Sequence, residues 1–201
     1  IENLHDRQNR LTGLSTGFYD LDDLTCGLQA SELIIVAARP SMGKTSLALN
    51  IIEHVGVIDK KSAVLFSLEM SAQQVAQNML CSHARIDAHK LRKGFLEDSQ
   101  WSNLSYGLGS LSEAPIFIDD TPGLTVLEVR AKARRLKAQY NIQLVVVDYL
   151  QLMESPRSEN RQQEISVISR GLKSLARELS IPVIVVSQLN RSVESREGHR
   201  P

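Results

Sequence analysis

The chain has 201 residues, 42% of them hydrophobic, which is enough to bury one substantial core as a single domain. Its 23 basic and 23 acidic side chains balance, which excludes a global positive field for nucleic acid or a membrane. Cys26 and Cys81 are too few for a disulfide framework or a zinc site, and the five histidines lack metal-ligand spacing. The sequence shows no signal peptide and no transmembrane run, so we expect no membrane contact and a reducing, cytoplasmic location.

Polar residues open the chain, and alternating elements follow. Residues 1–12 lack an apolar face, which predicts a linker or docking arm ahead of a domain spanning 13–201. The predicted strands are Leu33–Ala37, Ala63–Ser67, Ile116–Asp119, Leu144–Asp148 and Val183–Ser187. The predicted helices are one of about 14 residues ending near Gly56, one from Ala72 to about Arg85, shorter ones within 87–112, one from the Thr125 capping box to Tyr140, and Gln162–Leu179. We expect Trp101 and Tyr106 to be core or packing aromatics.

This order predicts an α/β fold with a mostly parallel central sheet and helices on both faces. Ligands of such sheets bind beyond the carboxyl ends of the strands. One edge is therefore expected to bring together Lys44, Glu69, Asp120, Asp148 and Gln188.

The loop after the first strand carries the most informative pattern. It closes with Gly-Lys-Thr and opens an apolar helix, an arrangement in which loop N–H groups and the helix dipole face an anion. Lys44 is expected to reach the β- and γ-phosphates, and the Thr45 hydroxyl to bind Mg²⁺. Ala38 stands where the first glycine of the P-loop pattern belongs, and an ordinary β-α turn is the alternative. The predicted nucleotide-binding residues are Ala38, Arg39, Pro40, Ser41, Met42, Gly43, Lys44, Thr45 and Ser46.

Three further side chains follow predicted strands. Asp148 ends an apolar strand as a Walker B carboxylate does, or it caps a turn. Glu69 stands where a carboxylate polarises a water for attack on the γ-phosphate, or it is a favourable charge at a helix N-terminus. Gln188 is placed to sense the γ-phosphate, and taken alone this assignment stays open.

The segments ARPSMGKT, FSLEM, VVVDYLQLM and SQLNRSVESR occur in this order along the chain. Together they resemble the motifs of the DnaB-type replicative DNA helicases, which are hexameric RecA-like P-loop ATPases. The Ala38 and Pro40 variant of the loop is usual in that family. Further similar segments are Thr16–Asp22, Asp119–Leu124, Arg130–Lys137 and Ser158–Ile165. The resemblance runs from about residue 11 to the end of the chain.

The resemblance implies a function and a role for each site residue. Lys44 and Thr45 would bind the phosphates and Mg²⁺, Asp148 would be the Walker B acid, and ATP would be the nucleotide. Glu69 would be the catalytic base and Gln188 the γ-phosphate sensor. The implied partners are single-stranded DNA, five further copies in a homohexamer, a primase and a helicase loader. The family often has Arg where this sequence has Asn78.

The family pattern continues beyond residue 201 with a DNA-contacting loop and an arginine finger, so we expect an incomplete motor domain. Such a fragment should bind ATP but hydrolyse it weakly. The loops Glu154–Arg161 and Leu189–Arg200 would face the channel of a ring, where arginines neutralise DNA phosphates, or their charges are simply solvated. The candidate DNA contacts are Arg157, Arg161, Arg191 and Arg196. The basic face of Arg130–Lys137 favours a solvated or subunit-facing surface.

Two other functions compete with the helicase motor. A RecA-like recombination ATPase would call for aromatic or basic DNA loops and a polymerisation segment. A P-loop ATPase or phosphotransferase that does not act on DNA would need an acceptor pocket or a lid. The sequence shows none of these features clearly, so it favours the ATP-dependent helicase motor.

Overall fold

The computed structural model describes residues 11–154 and 161–189 and contains one five-stranded parallel sheet. The strands are β1 (Leu33–Ala38), β2 (Ala63–Ser67), β3 (Ile116–Asp119), β4 (Leu144–Asp148) and β5 (Val183–Gln188). Their spatial order is β1-β5-β4-β2-β3, so the chain crosses over the sheet between successive strands. The parallel sheet is confirmed, and the predicted strands match within one residue.

Seven α-helices lie in the described part of the chain. They are α1 (Tyr19–Thr25), α2 (Lys44–Glu53), α3 (Ala72–Ala84), α4 (Ala88–Lys93), α5 (Asp98–Ser112), α6 (Val126–Tyr140) and α7 (Arg161–Leu179). The predicted capping box opens α6, since the Thr125 hydroxyl accepts from the Glu128 N–H while the Glu128 carboxylate accepts from the Thr125 N–H. None of these helices combines the length and the apolar character that a membrane crossing needs.

Two apolar cores cover the two faces of the sheet. Val145 and Val147 of β4 point to one face, where they pack with α6 and α7, and Leu144 and Val146 point to the other, where they pack with α2 and α3. Strands buried on both faces need continuous apolar runs, which β2, β4 and most of β5 have. The helices on both faces are therefore confirmed.

The helix after the first loop runs further than its predicted end. Its α-helical part stops at Glu53, and a π-helical turn, His54–Ile58, continues through Gly56. A side chain on Gly56 would collide with Ile116 of β3, because an added Cβ would lie 2.3 Å from the Ile116 Cγ1 atom. This glycine permits a close helix–strand approach and does not end the helix.

The prediction that Trp101 and Tyr106 are core or packing aromatics is wrong in its core assignment. Trp101 is 50% exposed and Tyr106 is 77% exposed. The reason is that α5 approaches α3 through Gly107, which lies against Leu80 and His83 of α3. The small contact residue brings the two helices together and leaves these large aromatics on the outer side.

A buried carboxylate organises the segment ahead of β1. Asp22 is 4% exposed and accepts hydrogen bonds from the Thr16 N–H, the Thr16 hydroxyl and the Ser15 hydroxyl, with its nearest donors at 2.7 to 2.9 Å. Burial of a charge is tolerated when donors of this kind satisfy it. The motif Thr16–Asp22 therefore has a structural role, which we call the Asp22 clasp: the Asp22 carboxylate ties α1 to the segment before it.

Replacing Asp22 by alanine should lower the free energy of unfolding by about 2–3 kcal/mol, because buried donors of Ser15 and Thr16 would lose their acceptor. Urea denaturation of the chain measures this. The matched control is Asp23→Ala at the exposed neighbouring position, where we expect a change within about 0.5 kcal/mol. Equal losses in the two variants would contradict the clasp.

Candidate active site

A polar cavity lies at the carboxyl edge of the sheet, where β1, β2, β4 and β5 end. Its volume is about 400 Å³, within the range of about 300–1,000 Å³ typical of small-molecule sites. It is lined by Pro40, Ser41, Gly43, Lys44, Thr45, Ser46, Glu69, Asp148, Tyr149 and Gln188. Another cavity, of about 530 Å³, lies among α3, α4, α5 and β3, but no charged side chain lines it. The 400 Å³ cavity is the one at the carboxyl edge, and it brings together Lys44, Glu69 and Asp148.

The loop between β1 and α2 has the backbone of an anion cradle. Ser41 and Gly43 take left-handed conformations with φ of 61° and 82°, and α2 begins at the next residue, Lys44. The first N–H groups of a helix have no partner within the helix and carry its positive dipole end. Six of the nine predicted nucleotide-binding residues line the cavity, and Ala38, Arg39 and Met42 are not among its lining residues.

The departure from the usual loop pattern has a simple structural reason. Ala38 is the last residue of β1, where it pairs with Gln188 and its carbonyl accepts from the Leu189 N–H at 3.0 Å. A strand residue has extended backbone that any amino acid adopts. Gly43 is different, because its positive φ favours glycine while the space around an added Cβ is open.

Lys44 extends over the loop that it follows. Its ammonium group donates to the Arg39 carbonyl at 2.8 Å, and its side chain lines the cavity. An ammonium held by one carbonyl keeps donors available for an anion. The geometry thus suits a lysine that turns from its own loop to a bound phosphate.

Asp148 and Thr45 form the part of the cavity that fits a metal ion. Asp148 is 4% exposed, the Thr45 hydroxyl donates to its carboxylate, and burial raises the pKa of Asp148, with the Glu69 charge adding to the rise. Its Oδ1 atom is buried and has no hydrogen-bond partner among the described residues. A buried carboxylate oxygen of this kind needs a partner, and a magnesium-bound water would supply one.

The same residues limit how a metal would be held. Across residues 11–154 and 161–189, no group of three or more His, Cys, Asp or Glu side chains is arranged to bind a metal ion. Magnesium usually keeps several waters and combines one or two protein ligands with substrate phosphates. Thr45 and Asp148 fit that pattern.

Glu69 stands on a loop that is tied to the neighbouring strand end. The Leu68 N–H donates to the Asp148 carbonyl at 2.7 Å, and the Ser67 hydroxyl donates to the Met70 carbonyl at 2.7 Å. Glu69 lines the cavity between these two anchors. Its carboxylate is therefore positioned by β2 and β4 together.

Asp120 lies near this edge but is not a lining residue of the cavity. Its carboxylate accepts from the Ala72 N–H at 2.7 Å and so satisfies the first turn of α3. Asp120 therefore supports the helix that follows the Glu69 loop. This leaves Glu69 as the cavity carboxylate other than Asp148.

Sequence reasoning missed Tyr149 and Gln151. Tyr149 lines the cavity, and the pKa of its hydroxyl is raised by burial and by the nearby Glu69 and Asp148 charges. Gln151 hydrogen-bonds the backbone of Gln188. Both residues follow the Asp148 strand end within three positions, and that proximity was the available signal.

The predicted DNA contacts fall on parts of the chain that the structure leaves undescribed. Arg157, Arg191 and Arg196 lie outside the described residues, and Arg161 begins α7 without a described side chain. Asn78 is exposed on α3. The roles of these residues stay predictions.

The basic face of α6 makes contacts within the domain. Arg130 donates to the Glu178 carboxylate of α7 at 2.6 Å, and Arg134 pairs with the same carboxylate. Lys137 donates to the Ile142 carbonyl at 3.0 Å beyond the end of its helix, and burial lowers its pKa. These cations therefore help to join α6 to α7 and to the segment before β4.

Replacing Asp148 by asparagine should weaken magnesium-dependent ATP binding about 10–100-fold. The neutral amide would attract the magnesium ion and its bound waters less strongly than the carboxylate does. A titration of Mg²⁺ against a fluorescent ATP analogue measures the change. Asp59→Asn, at a half-buried carboxylate before β2 and away from the cavity lining, is the control. An unchanged magnesium requirement would contradict the metal assignment.

Comparisons with known proteins agree with this architecture. The family described as DnaB-like helicase C terminal domain matches residues 13–201. The chain is 55% identical to the replicative DNA helicase DnaB of Geobacillus stearothermophilus and 53% identical to the replicative DNA helicase DnaC of Bacillus subtilis strain 168. Each alignment covers 100% of this chain and 45% of the relative, so the chain spans less than half the length of these proteins.

Solved structures give the same result. The chain superposes with a TM-score of 0.89 and 35% identity on the ATPase domain of G40P, covering 100% of this chain and 72% of that one. A DnaB-like replicative helicase whose structure was described together with its interactions with primase gives the same score and identity, over 100% of this chain and 49% of that one. The expected RecA-like fold is therefore confirmed. With its P-loop cavity and a family match over 13–201, the chain belongs to the DnaB-like helicase C-terminal domain family.

Proposed function

We propose that this chain is the ATP-hydrolysing motor domain of a replicative DNA helicase, which couples hydrolysis to translocation on single-stranded DNA and to duplex unwinding. The observation that carries the proposal is the convergence of Lys44, Thr45, Glu69, Asp148 and Gln188 on one cavity in a domain of this family. These are the side-chain types that binding, activating and sensing a nucleoside triphosphate require.

Each of these residues has a part in the proposed reaction. The loop N–H groups and Lys44 hold the β- and γ-phosphates of ATP at the start of α2. Thr45 and Asp148 hold Mg²⁺, which when bound neutralises the phosphate charge that builds up in the transition state. Glu69 accepts a proton from the water that attacks the γ-phosphorus atom, and the bond to the β-phosphate oxygen breaks. Gln188 contacts the γ-phosphate and registers its departure.

The proposal extends to partners through the family. The helicase would act as a homohexamer around single-stranded DNA in the cytoplasm, with Arg157, Arg161, Arg191 and Arg196 neutralising DNA phosphates. A primase is a proposed partner because a DnaB-like neighbour was described with one. A helicase loader is a further proposed partner.

An arginine finger from a neighbouring subunit would complete the site, and such a residue is worth roughly 10³–10⁵ in rate. A monomer, which has no such neighbour, should therefore bind ATP and hydrolyse it slowly.

Strand displacement tests the proposal against its alternatives. The full-length protein carrying this domain should separate a forked duplex only when ATP and Mg²⁺ are present. Strand exchange without displacement would favour a recombination ATPase, and phosphate transfer to a small acceptor without DNA dependence would favour a phosphotransferase. Either result would overturn the helicase assignment.

A further inference from the structure

The turn that follows β4 is a rigid part of the domain. It comprises the 3-10 turn Leu150–Leu152 and the two residues after it. Leu150 is 2% exposed and Met153 is 3% exposed, so apolar burial fixes the turn to the core. The Glu154 N–H also donates to the Leu124 carbonyl at 3.1 Å, which joins the turn to the segment before α6. The backbone that carries the Gln151 side chain is therefore held in place.

From this turn, the side chain of Gln151 reaches the end of β5 and hydrogen-bonds it. Its Nε2 atom donates to the Gln188 carbonyl at 2.9 Å, and its Oε1 atom accepts from the Gln188 N–H at 3.2 Å. The same Nε2 atom lies 2.9 Å from the Ser187 hydroxyl oxygen. The amide of Gln151 thus meets both backbone groups of Gln188, as a paired strand would.

This contact replaces strand pairing where the ladder stops. The paired residues of β4 and β5 end with Val147 and Val185, so Gln188 lies beyond the ladder on that side. On its other side Gln188 still pairs with Ala38 of β1. The backbone of Gln188 is therefore hydrogen-bonded on both sides, by β1 on one and by Gln151 on the other. The side chain of Gln188 is exposed at the end of β5.

We propose that Gln151 is a positioning residue that fixes the backbone of Gln188 and so aims the Gln188 amide at the γ-phosphate. Gln151 is not among the residues lining the cavity, so it acts through Gln188. The inference rests on the proposed function, in which Gln188 senses the γ-phosphate. It adds a link between that sensor and the turn leading out of β4.

A double-mutant cycle on ATP hydrolysis in the full-length protein tests the inference. Gln151→Ala should lower kcat by about 10- to 100-fold, the cost of a misplaced reacting group, and leave KM within about twofold because the phosphate cradle is intact. Adding Gln151→Ala to Gln188→Ala should change kcat by less than about twofold, because residues acting as one unit are not additive. A merely structural role predicts additive losses and a lower thermal unfolding temperature.

Two further variants separate hydrogen bonding from packing and from a general glutamine effect. Gln151→Met keeps the length of the side chain but removes its hydrogen bonds to Gln188 and Ser187, so it should lose kcat as Gln151→Ala does. Gln143 lies just before β4, at the end opposite to the cavity, and its amide donates to the Asn141 carbonyl. Gln143→Ala should leave kcat within about twofold.

The possible results distinguish the inference from the proposed function. Near-normal kcat in Gln151→Met and Gln151→Ala, with a clear loss in Gln188→Ala, would overturn the role of Gln151 alone. Additive losses would also overturn it. Unchanged kcat in Gln188→Ala would remove the sensor from the proposed function, and the inference with it.

Discussion

Replacing Lys44 by alanine is expected to lower ATP turnover by at least about 10²–10³-fold, the usual cost of losing a donor aimed at developing charge. Lys44 lies where the loop joins α2, and its ammonium is the cation that lines the cavity. The ammonium donates to the Arg39 carbonyl of the same loop. The Arg39 carbonyl that it leaves is only partly buried, so water can replace the ammonium as its partner. We therefore expect a folded, inactive enzyme.

Phosphate release under saturating ATP measures the effect, and thermal unfolding checks the fold. Lys90→Ala, an exposed lysine on α4, is the matched control and should retain wild-type turnover. Lys44→Arg should not restore activity, because a planar guanidinium does not replace a compact ammonium. Wild-type hydrolysis by Lys44→Ala would refute the phosphate-binding role.

Replacing Glu69 by glutamine should separate chemistry from binding. The amide keeps the size of the side chain but removes the base, which typically costs about 10²–10⁴ in rate. Lys44, Thr45 and Asp148 would still hold the Mg²⁺–ATP, so its affinity should change by no more than about tenfold. In the assembled ring the variant should trap ATP and hold DNA longer.

Single-turnover hydrolysis together with nucleotide affinity in the full-length protein tests this expectation. The control is Asp120→Asn, which changes a carboxylate that serves the Ala72 N–H and is not a lining residue of the cavity. If Glu69 only stabilises a helix start, turnover would stay near normal and stability would fall by about 0.3–1 kcal/mol. A larger loss of turnover in Asp120→Asn than in Glu69→Gln would transfer the base role to Asp120.

The strands, the α6 helix start and the Gly-Lys-Thr loop could be predicted from the sequence, because each depends on residues that are close together in the chain. Each apolar run long enough for a buried strand became one, and the Thr125 and Glu128 pair opened its helix as predicted. The Gly-Lys-Thr loop between β1 and α2 likewise depends on neighbouring residues, since its left-handed positions and its helix start lie within a few residues of each other. Parallel strands end on one edge, so four of the five polar residues assigned to that edge also line one cavity.

Contacts between distant segments were decided by the tertiary structure alone. The sequence carries no signal for the strand order β1-β5-β4-β2-β3, because neighbouring strands meet through pairing that depends on long-range packing. Gly107 decides that Trp101 and Tyr106 face outward, and Asp120 is taken up by the N-terminus of α3. Gln151 meets Gln188 across 37 positions of sequence, because the strand order makes β4 and β5 neighbours. Periodicity and turn chemistry therefore determine which elements form, and only the packing of the sheet determines which side chains from different elements meet.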